Sequence, residues 1–458
     1  MTEAFIDLGA AEPWTPPDEP PQRGRRRARG LLVALVAVLA AALPGAAAPR
    51  AGALLHLSAG VQNVGLGGGR MFVTRYLGEG PHRLEAYDTG TGRALWSVEL
   101  EDGQSFVFGD ADVVMVSSEY GERQPLQLSV VTALDPGTGA LLWRRPSAGV
   151  AGRGGGRVLL QDLTSFQQPE DGVTAPSPEN RVLGADARSG ALVWELLVPP
   201  GSQAAYGRDP GSPYTMRSLS VLDPDGALRR YDLRTGAVAG TARLAWSGPV
   251  GWFRLGEDGD VPGPPGARAG QVAVGGEGGL RADVYDERSG RALWHVDVEA
   301  YGGLRACAPG WWCVAGDHGQ VAYDAVTGVP VLRADTTDVM VANDGGVLVL
   351  GRLAPDRRAL AGLRTVDLRT GATLRTLDGW RPAFGPGDRL LVSWQADGEY
   401  SALFGQLDAR TGRVTVLGAA DLGAADPVCV SDERSVACGG SNGSGDVTLW
   451  PAPPRHGG

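Results

Sequence analysis

The stretch that decides the fold is Ala133-Leu134-Asp135-Pro136-Gly137-Thr138-Gly139-Ala140-Leu141-Leu142-Trp143. At its centre an aspartate is followed, after two residues, by Thr or Ser and then by Gly. This motif occurs eight times and begins at Asp88, Asp135, Asp186, Asp232, Asp286, Asp324, Asp367 and Asp408. The interval between successive aspartates ranges from 38 residues (Asp286 to Asp324) to 54 residues (Asp232 to Asp286). Such a period predicts a tandem array of small units, each long enough for four short strands.

Each motif lies between two runs of alternating apolar residues, which predicts a β-hairpin. The Asp carboxylate and the Thr or Ser hydroxyl are expected to accept hydrogen bonds from backbone amides of the turn. The Gly supplies the positive φ that closes the hairpin. In four repeats the second run ends in a tryptophan, and we expect these side chains to fill the space between neighbouring units: Trp96, Trp143, Trp194 and Trp294.

Two further apolar segments precede each hairpin, so that each repeat provides four antiparallel strands. Tandem four-stranded sheets predict an all-β fold, a single β-propeller over residues 53–452. The C-terminal segments Val428–Val430, Ser435–Cys438 and Val447–Trp450 provide three strands, and Leu54–Leu57 is predicted to add the fourth and close the ring. Eight hairpins and a closing unit amount to nine, above the usual range. We expect eight blades, within a range of seven to nine.

The pattern Ala-x-Asp-x-x-Thr-Gly-x-x-x-Trp, which runs from Ala133 to Trp143, resembles the repeat of the pyrroloquinoline-quinone (PQQ)-like propellers. The resemblance extends over about residues 52–450. That superfamily includes quinoprotein alcohol dehydrogenases and the lipoprotein propeller of the outer-membrane assembly machinery. The resemblance implies the fold, whereas the activity depends on the individual site. Of its branches, this chain resembles a non-enzymatic, membrane-anchored one.

The quinoprotein enzymes implied by the resemblance need a quinone and calcium site, and many carry a disulfide between adjacent cysteines. No two cysteines adjoin in this chain, and no set of Glu, Asn and Asp matches such a site, since there are only four Asn. We therefore predict no catalytic residue, no cofactor and no metal site. An enzyme, either quinone-dependent or acting through carboxylates in the central funnel, remains the alternative.

The four cysteines form two local pairs. Cys307 and Cys313 flank Ala-Pro-Gly-Trp-Trp, and Cys429 and Cys438 flank eight residues. Each pair lies across a short predicted hairpin, where opposed residues have the spacing that a disulfide needs, so we predict two disulfides. Disulfides are typical of exported domains. The adjacent Trp311 and Trp312 are a candidate ligand platform, with blade packing as the alternative.

The N-terminus predicts a membrane anchor. Residues 1–30 form an acidic, Pro-rich tail that ends in an Arg cluster, and residues 31–48 are uncharged and apolar. We interpret 31–48 as a transmembrane helix (signal anchor) with its N-terminus in the cytoplasm. A short linker, 49–52, then leads to an extracytoplasmic propeller, and 453–458 are a C-terminal tail. A cleaved signal peptide is the alternative.

Composition narrows the range of partners. The formal net charge is −10, and all 42 basic residues are Arg, a bias that indicates a GC-rich bacterium. Nucleic acid is not an expected partner, because no basic face is evident. Two insertions, Ser165–Arg181 and Gly256–Gly270, are predicted partner-binding loops. The acidic stretches Asp223–Gly226 and Glu257–Asp260 are interpreted as turns, with calcium binding as the alternative.

We therefore predict a membrane-anchored, extracytoplasmic, non-catalytic module that binds or scaffolds an envelope or membrane protein. A small-ligand sensor is a further alternative.

Overall fold

The structure is a computed structural model that describes residues 52–454, apart from residues 59, 77–80, 102, 119–128, 147, 163–179, 210–211, 257–269, 277–279, 299–302, 309, 317–318, 336, 345, 354–359, 384–388, 397–398, 424–425 and 441–444. All regular secondary structure in these residues is β-strand, which confirms the predicted all-β class. No helix of sufficient length and apolar character to cross a membrane occurs in the described part. The predicted tail 1–30, the transmembrane helix 31–48 and most of the linker lie outside the described residues and stay predictions.

The first strand, β1 (Leu55–Leu57), belongs to the last sheet of the array. Blade 1 contains β2 (Val61–Gly67), β3 (Arg70–Arg75), β4 (Arg83–Asp88) and β5 (Ala94–Glu99). Blade 2 contains β6 (Gln104–Gly109), β7 (Val114–Ser118), β8 (Val130–Leu134) and β9 (Leu141–Pro146). Blade 3 contains β10 (Ala148–Gly154), β11 (Arg157–Asp162), β12 (Asn180–Asp186) and β13 (Leu192–Val198). Blade 4 contains β14 (Gln203–Asp209), β15 (Ser212–Leu222), β16 (Ala227–Tyr231) and β17 (Val238–Arg243).

The second half of the chain continues the same order. Blade 5 contains β18 (Val250–Leu255), β19 (Gln271–Gly276), β20 (Arg281–Asp286) and β21 (Ala292–Asp297). Blade 6 contains β22 (Leu304–Ala308), β23 (Trp311–Gly316), β24 (Gly319–Asp324) and β25 (Pro330–Arg333). Blade 7 contains β26 (Asp338–Asp344), β27 (Val347–Leu353), β28 (Leu360–Asp367) and β29 (Thr373–Asp378). Blade 8 contains β30 (Trp380–Pro382), β31 (Leu391–Gln395), β32 (Ser401–Leu407) and β33 (Val414–Asp421). Blade 9 contains β34 (Pro427–Ser431), β35 (Ser435–Gly440), β36 (Val447–Pro451) and β1.

The described residues therefore form nine four-stranded units, of which blades 3 and 4 are joined into one eight-stranded sheet by a single parallel bridge. Nine replaces the expected count of eight and lies within the predicted range of seven to nine. The shortest repeat still holds a full blade, because blade 6 uses strands of only four to six residues. The terminal strands add the ninth blade. Strand β1 pairs antiparallel with β36, with Leu55 opposite Leu449 and Leu57 opposite Val447, as predicted. Strand β2 in turn contacts β34 and β35, so blade 1 packs against blade 9.

The first strand of each blade lies nearest the axis of the ring. First strands of neighbouring blades contact one another, as β2 does β6 and β14 does β18. Fourth strands such as β17 and β29 are instead largely exposed. The apolar core lies between the sheets: Phe72 of blade 1 stacks on Phe106 of blade 2 with ring centroids 5.8 Å apart.

The repeated motif forms the turn between the third and fourth strands of its blade. Asp135 Oδ1 accepts hydrogen bonds from the amides of Gly137 (2.9 Å) and Thr138 (3.0 Å) and from the Thr138 hydroxyl (3.0 Å). The amide of the Thr or Ser donates to the aspartate in all eight motifs. Gly139 has φ of 73°, and the other motif glycines lie in the same left-handed region. These aspartates are elements of the turn, as the sequence predicted.

The repeated tryptophans join blades 1, 2, 3 and 5 each to the following blade, through a hydrogen bond that the sequence did not reveal. Trp143 Nε1 donates to the carbonyl of Ala187 (2.8 Å), and Trp194 Nε1 donates to that of Leu233 (2.9 Å). In each case the acceptor directly follows the aspartate of the next motif. The indole also covers that motif's glycine, since a Cβ built at Gly190 would lie 2.6 Å from Trp143 Cγ. Glycine is therefore needed at this position for two reasons. Its own turn requires a positive φ, and the indole of the preceding blade leaves no space for a Cβ.

Acidification is expected to destabilise the blades through these turns. The hydroxyl of Thr138, together with turn amides, holds the pKa of Asp135 below its ordinary value, and the turn Thr or Ser does the same for Asp88, Asp186, Asp232, Asp286 and Asp367. Because the pKa is lower in the folded state, this stabilisation is complete above the unfolded-state pKa of about 4. It is lost as the pH falls through the folded-state pKa.

We therefore expect a melting temperature that changes little between about pH 5 and 7 and falls steeply below about pH 4. Calorimetry across this range measures it. The Asp135→Asn variant, which cannot titrate at this position, is expected to show a smaller fall. A melting temperature that stays constant down to about pH 2 would contradict the role assigned to the turn carboxylates.

Both predicted disulfides are present. Cys307–Cys313 links β22 to β23 with a Cα–Cα distance of 5.7 Å, and Cys429–Cys438 links directly opposed residues of β34 and β35 at 4.1 Å. Between the first pair, the Trp312 side chain is fully buried and its Nε1 donates to Gln271 Oε1 of blade 5 (3.1 Å). Trp312 therefore packs between blades, which was the alternative to a ligand platform.

Candidate binding surfaces

One hairpin departs from the regular blade pattern. Strand β15 is 11 residues long, and its first half reaches the inner strand of blade 3 through a parallel bridge between Thr215 and Arg153. Glycines in β10 permit this approach, because a Cβ at Gly152 would lie 2.6 Å from both Met216 Cε and the Tyr214 carbonyl oxygen. The β14–β15 hairpin therefore lies along the inner edge of blade 3.

The same hairpin also reaches blade 2. The Tyr214 ring stacks on Phe108 of β6, with ring centroids 5.6 Å apart. Beside this contact Arg153 forms an ion pair with Asp110, a buried carboxylate that also accepts the amide of Val113. The hairpin thus connects the inner strands of three consecutive blades.

Three side chains of this hairpin form what we call the inner cluster: Tyr206, Arg208 and Tyr214. Both tyrosines are partly buried, and burial raises the pKa of each, while the positive charge of Arg208 opposes the increase. Arg208 is exposed. Among the described residues, none of the three side chains has a hydrogen-bond or ion-pair partner.

The outer edge of blade 3 is unusually apolar. Leu192, Val193 and Leu197 of β13 are 45%, 44% and 45% exposed. In the fourth strands of blades 1 and 5, a small residue stands at the position equivalent to Leu192 and a charged residue at the position equivalent to Leu197. Leu192 corresponds to Ala94 and Ala292, and Leu197 corresponds to Glu99 and Asp297. We call Leu192, Val193 and Leu197 the outer edge of blade 3.

The two adjoining blades extend this apolar surface. Leu141 of β9 and Val238 of β17 occupy the position equivalent to Leu192, and they are 58% and 52% exposed. The blades are held in register by the tryptophan contacts described above and by Arg145 Nη2, which donates to the Gly190 carbonyl (3.1 Å). Exposed apolar residues that recur on neighbouring elements are typical of interaction surfaces.

The acidic residues singled out in the sequence have structural partners where the structure describes them. Both Asp223 oxygens accept from Arg229 Nη2 (2.8 and 2.7 Å), and Asp225 pairs with Arg243 (3.2 Å). The stretch Glu257–Asp260 and most of the insertions Ser165–Arg181 and Gly256–Gly270 lie outside the described residues. In the part described, no group of three or more His, Cys, Asp or Glu side chains is placed to hold a metal ion. The repeated aspartates accept hydrogen bonds within their own turns, as Asp135 does from Thr138.

The sequence motifs indicate neither the inner cluster nor the outer edge. A signal for the outer edge was available, since alignment of the repeats places Leu197 where two other repeats have an acid. The inner cluster had no such signal. It depends on the irregular pairing of β14 with β15, whose register shifts between Gly207 and Arg208 and again at the next residue.

The architecture defines a class of protein, a closed β-propeller whose blades are joined by tryptophan–turn contacts. Residues 82–282 match the family model described as the outer membrane protein assembly factor BamB (PQQ_2). This match, over 201 of the 458 residues, supports the resemblance to the PQQ-like β-propellers that the repeat predicted. None of the curated proteins matches it.

Several solved structures are similar to this chain over most of its length at low sequence identity. BamB from Moraxella catarrhalis is 14% identical, with 87% of this chain and 96% of that chain covered and a TM-score of 0.39. Sqt1 from Saccharomyces cerevisiae is 10% identical, with 88% and 99% covered and a TM-score of 0.43. The quinohemoprotein alcohol dehydrogenase from Comamonas testosteroni is 12% identical, with 88% and 77% covered and a TM-score of 0.40.

Proposed function

We propose that this protein is a membrane-anchored, extracytoplasmic, non-catalytic propeller that binds or scaffolds a protein partner of the cell envelope. The observation that carries the proposal is the apolar outer edge of blade 3. Leu192, Val193 and Leu197 each leave 44–45% of their surface exposed to water. This exposure is unfavourable, and burial against a partner recovers that free energy.

The strand itself is suited to pairing with another chain. Within the described residues β13 pairs only with β12, so its outer backbone edge is unpaired. Val193, Glu195 and Leu197 share the exposed face of the strand, while Trp194, Leu196 and Val198 are buried against blade 4. Natural edge strands usually carry charges or Pro that prevent pairing, and on β13 only Glu195 is charged. An extended segment of a partner can add to such an edge.

The location rests on the N-terminal sequence and on the family. The apolar residues 31–48, preceded by the Arg cluster, support a single membrane-spanning anchor with the propeller outside the cytoplasm. Two disulfides agree with an oxidising compartment. The matched family model is that of an outer membrane assembly factor, which supports a role in the envelope.

The test places a photo-crosslinking amino acid at Leu197 of the full chain in native membranes. The matched control carries it at Asp297, the equivalent position of blade 5. We expect a discrete protein adduct from position 197 and none from position 297. Combining Leu192→Ala with Leu197→Glu gives β13 the residues that blade 1 carries at these positions, Ala94 and Glu99, so we expect the variant to fold. This double variant is expected to weaken partner binding by at least about tenfold.

Leu280→Ala serves as the control substitution, because Leu280 is 68% exposed but lies outside the outer edge of blade 3. It should leave partner binding unchanged. Equal adducts from positions 197 and 297, or full binding by the double variant, would contradict the proposed surface. The non-catalytic assignment has a separate test, in which reconstitution with PQQ and calcium is expected to give no dye-linked alcohol oxidation.

A further inference from the structure

We infer that one exposed sheet face of blade 8 is a binding platform for a neutral glycan chain. We call this face the blade 8 platform, and it is made of Trp380, Trp394, Leu403, Ser401 and Asp421. The platform lies on a different blade from the outer edge of blade 3, and a glycan ligand goes beyond the proposed function.

Strand register places an apolar row across blade 8. Trp394 lies opposite Trp380 on one side and opposite Leu403 on the other, with no register shift at either position. Directly opposed side chains share one face of an antiparallel sheet, with Cβ atoms about 4.5–5.5 Å apart. Ala419 lies opposite Leu403 and continues the row onto β33. The row therefore crosses four strands, a distance of roughly 14 Å at the usual strand spacing.

The face that carries this row is exposed, whereas the other face of the sheet is packed. Trp394 and Leu403 are each 38% exposed. Phe404, the next residue along β32, points to the other face and is buried in the core cluster shared with blade 9. A Cβ built at Gly379 would lie 2.8 Å from Trp394 Nε1, so the indole lies against the turn before β30. The row therefore presents an aromatic side chain that is both accessible and held against the backbone.

Polar groups adjoin the row on the same face. Ser401 precedes Leu403 by two residues, which places it on the same side of β32, and it lies directly opposite Asp421. Both residues are exposed, and among the described residues the Ser401 hydroxyl has no hydrogen-bond partner. Asp421 Oδ1 accepts from the Gly423 amide (2.8 Å), and Oδ2 has no partner in the described part of the chain. A hydroxyl and a carboxylate oxygen are therefore available beside the apolar row.

This combination fits the chemistry of a sugar ring. The faces of a pyranose carry C–H groups that pack on an aromatic ring, and its edge carries hydroxyls that need hydrogen-bond partners. The Asp421 carboxylate can accept from such hydroxyls, and its negative charge disfavours acidic sugars. A straight row across four strands suits an extended chain of β-1,4-linked rings. The expected ligand is therefore a neutral β-1,4-linked glycan.

The area of the platform argues against a protein as its occupant. A large aromatic side chain buries about 150–250 Å² when it is fully covered. At the exposures of Trp394 and Leu403, the platform offers apolar area on the order of 200 Å². A stable protein interface needs about 800 Å² on each partner. A small ligand that stacks on the indole matches this area better.

The test measures binding of cellohexaose and chitohexaose to the full chain by isothermal titration calorimetry, in a detergent without a sugar headgroup. We expect saturable binding of at least one glycan, which Trp394→Ala weakens at least about tenfold because the stacking contact is lost. Asp421→Asn removes the charged acceptor and is expected to weaken binding about threefold or more. Tyr76→Ala removes an aromatic side chain of similar exposure (42%) from blade 1 and should leave binding unchanged.

Because Trp394 is exposed, its alanine variant is expected to fold. Binding of neither glycan would overturn the inference, and so would an equal loss in Trp394→Ala and Tyr76→Ala. A protein adduct from a photo-crosslinking amino acid at position 403, together with no glycan binding, would assign the platform to a protein instead. Failure here with an intact crosslink at position 197 removes only this platform, and the reverse result removes only the proposed function.

Discussion

Replacing Trp194 with alanine is expected to lower the free energy of unfolding by about 3–5 kcal/mol. The side chain is only 8% exposed, and it packs in the cluster between blades 3 and 4. Its Nε1 donates to the Leu233 carbonyl (2.9 Å), and its ring covers Gly236 of the next motif. The substitution therefore removes apolar contacts and a hydrogen bond, and it leaves a cavity at an interface between blades.

Urea denaturation followed by far-ultraviolet circular dichroism measures this loss. Trp394→Ala is the control, because Trp394 is 38% exposed on blade 8 and its removal is expected to lower the unfolding free energy by only about 1 kcal/mol. If the two variants lose the same stability, the tryptophan–turn contact does not hold the blades together. Restoration by Trp194→Phe is expected to be partial, since phenylalanine fills much of the space but has no N–H donor.

The fold could be predicted from the sequence because its signals are local. The turn of Asp135, Thr138 and Gly139 depends on atoms within five residues, so turn chemistry alone predicts it. The disulfide between Cys429 and Cys438 was predictable for a similar reason, because the two residues lie opposite each other in one short hairpin. Closure by Leu54–Leu57 was predictable because blade 9 otherwise lacks a strand.

The remaining features depend on contacts between blades. The expected count of eight blades was one too low because it followed the usual range of propellers, although the predicted range of seven to nine included nine. The shortest repeat holds a full blade because β25 needs only four residues. The second role of Gly236 was missed because the Trp194 ring comes from the preceding blade. The contact of Tyr214 with Phe108 joins blades 4 and 2, and no spacing in the sequence indicates it.

The closed ring fixes the relative positions of the blades and of the surfaces described above. One pair of residues can be used to test whether the ring is closed. His56 of β1 lies opposite Thr448 of β36, and His56 Nδ1 is 3.1 Å from Thr448 Oγ1. Cysteines at both positions are therefore expected to form a disulfide between the two ends of the propeller. Because the bond closes a very long loop, it is expected to raise the unfolding free energy by up to about 5 kcal/mol.

The decisive measurement is peptide mass mapping of the oxidised His56→Cys/Thr448→Cys protein without reduction. The nine-blade ring predicts a cross-linked peptide that joins positions 56 and 448, with no free thiol. The pair His56→Cys/Thr373→Cys, which places the second cysteine on blade 7, should keep both thiols free. Free thiols at 56 and 448 under the same oxidation would contradict the closed ring.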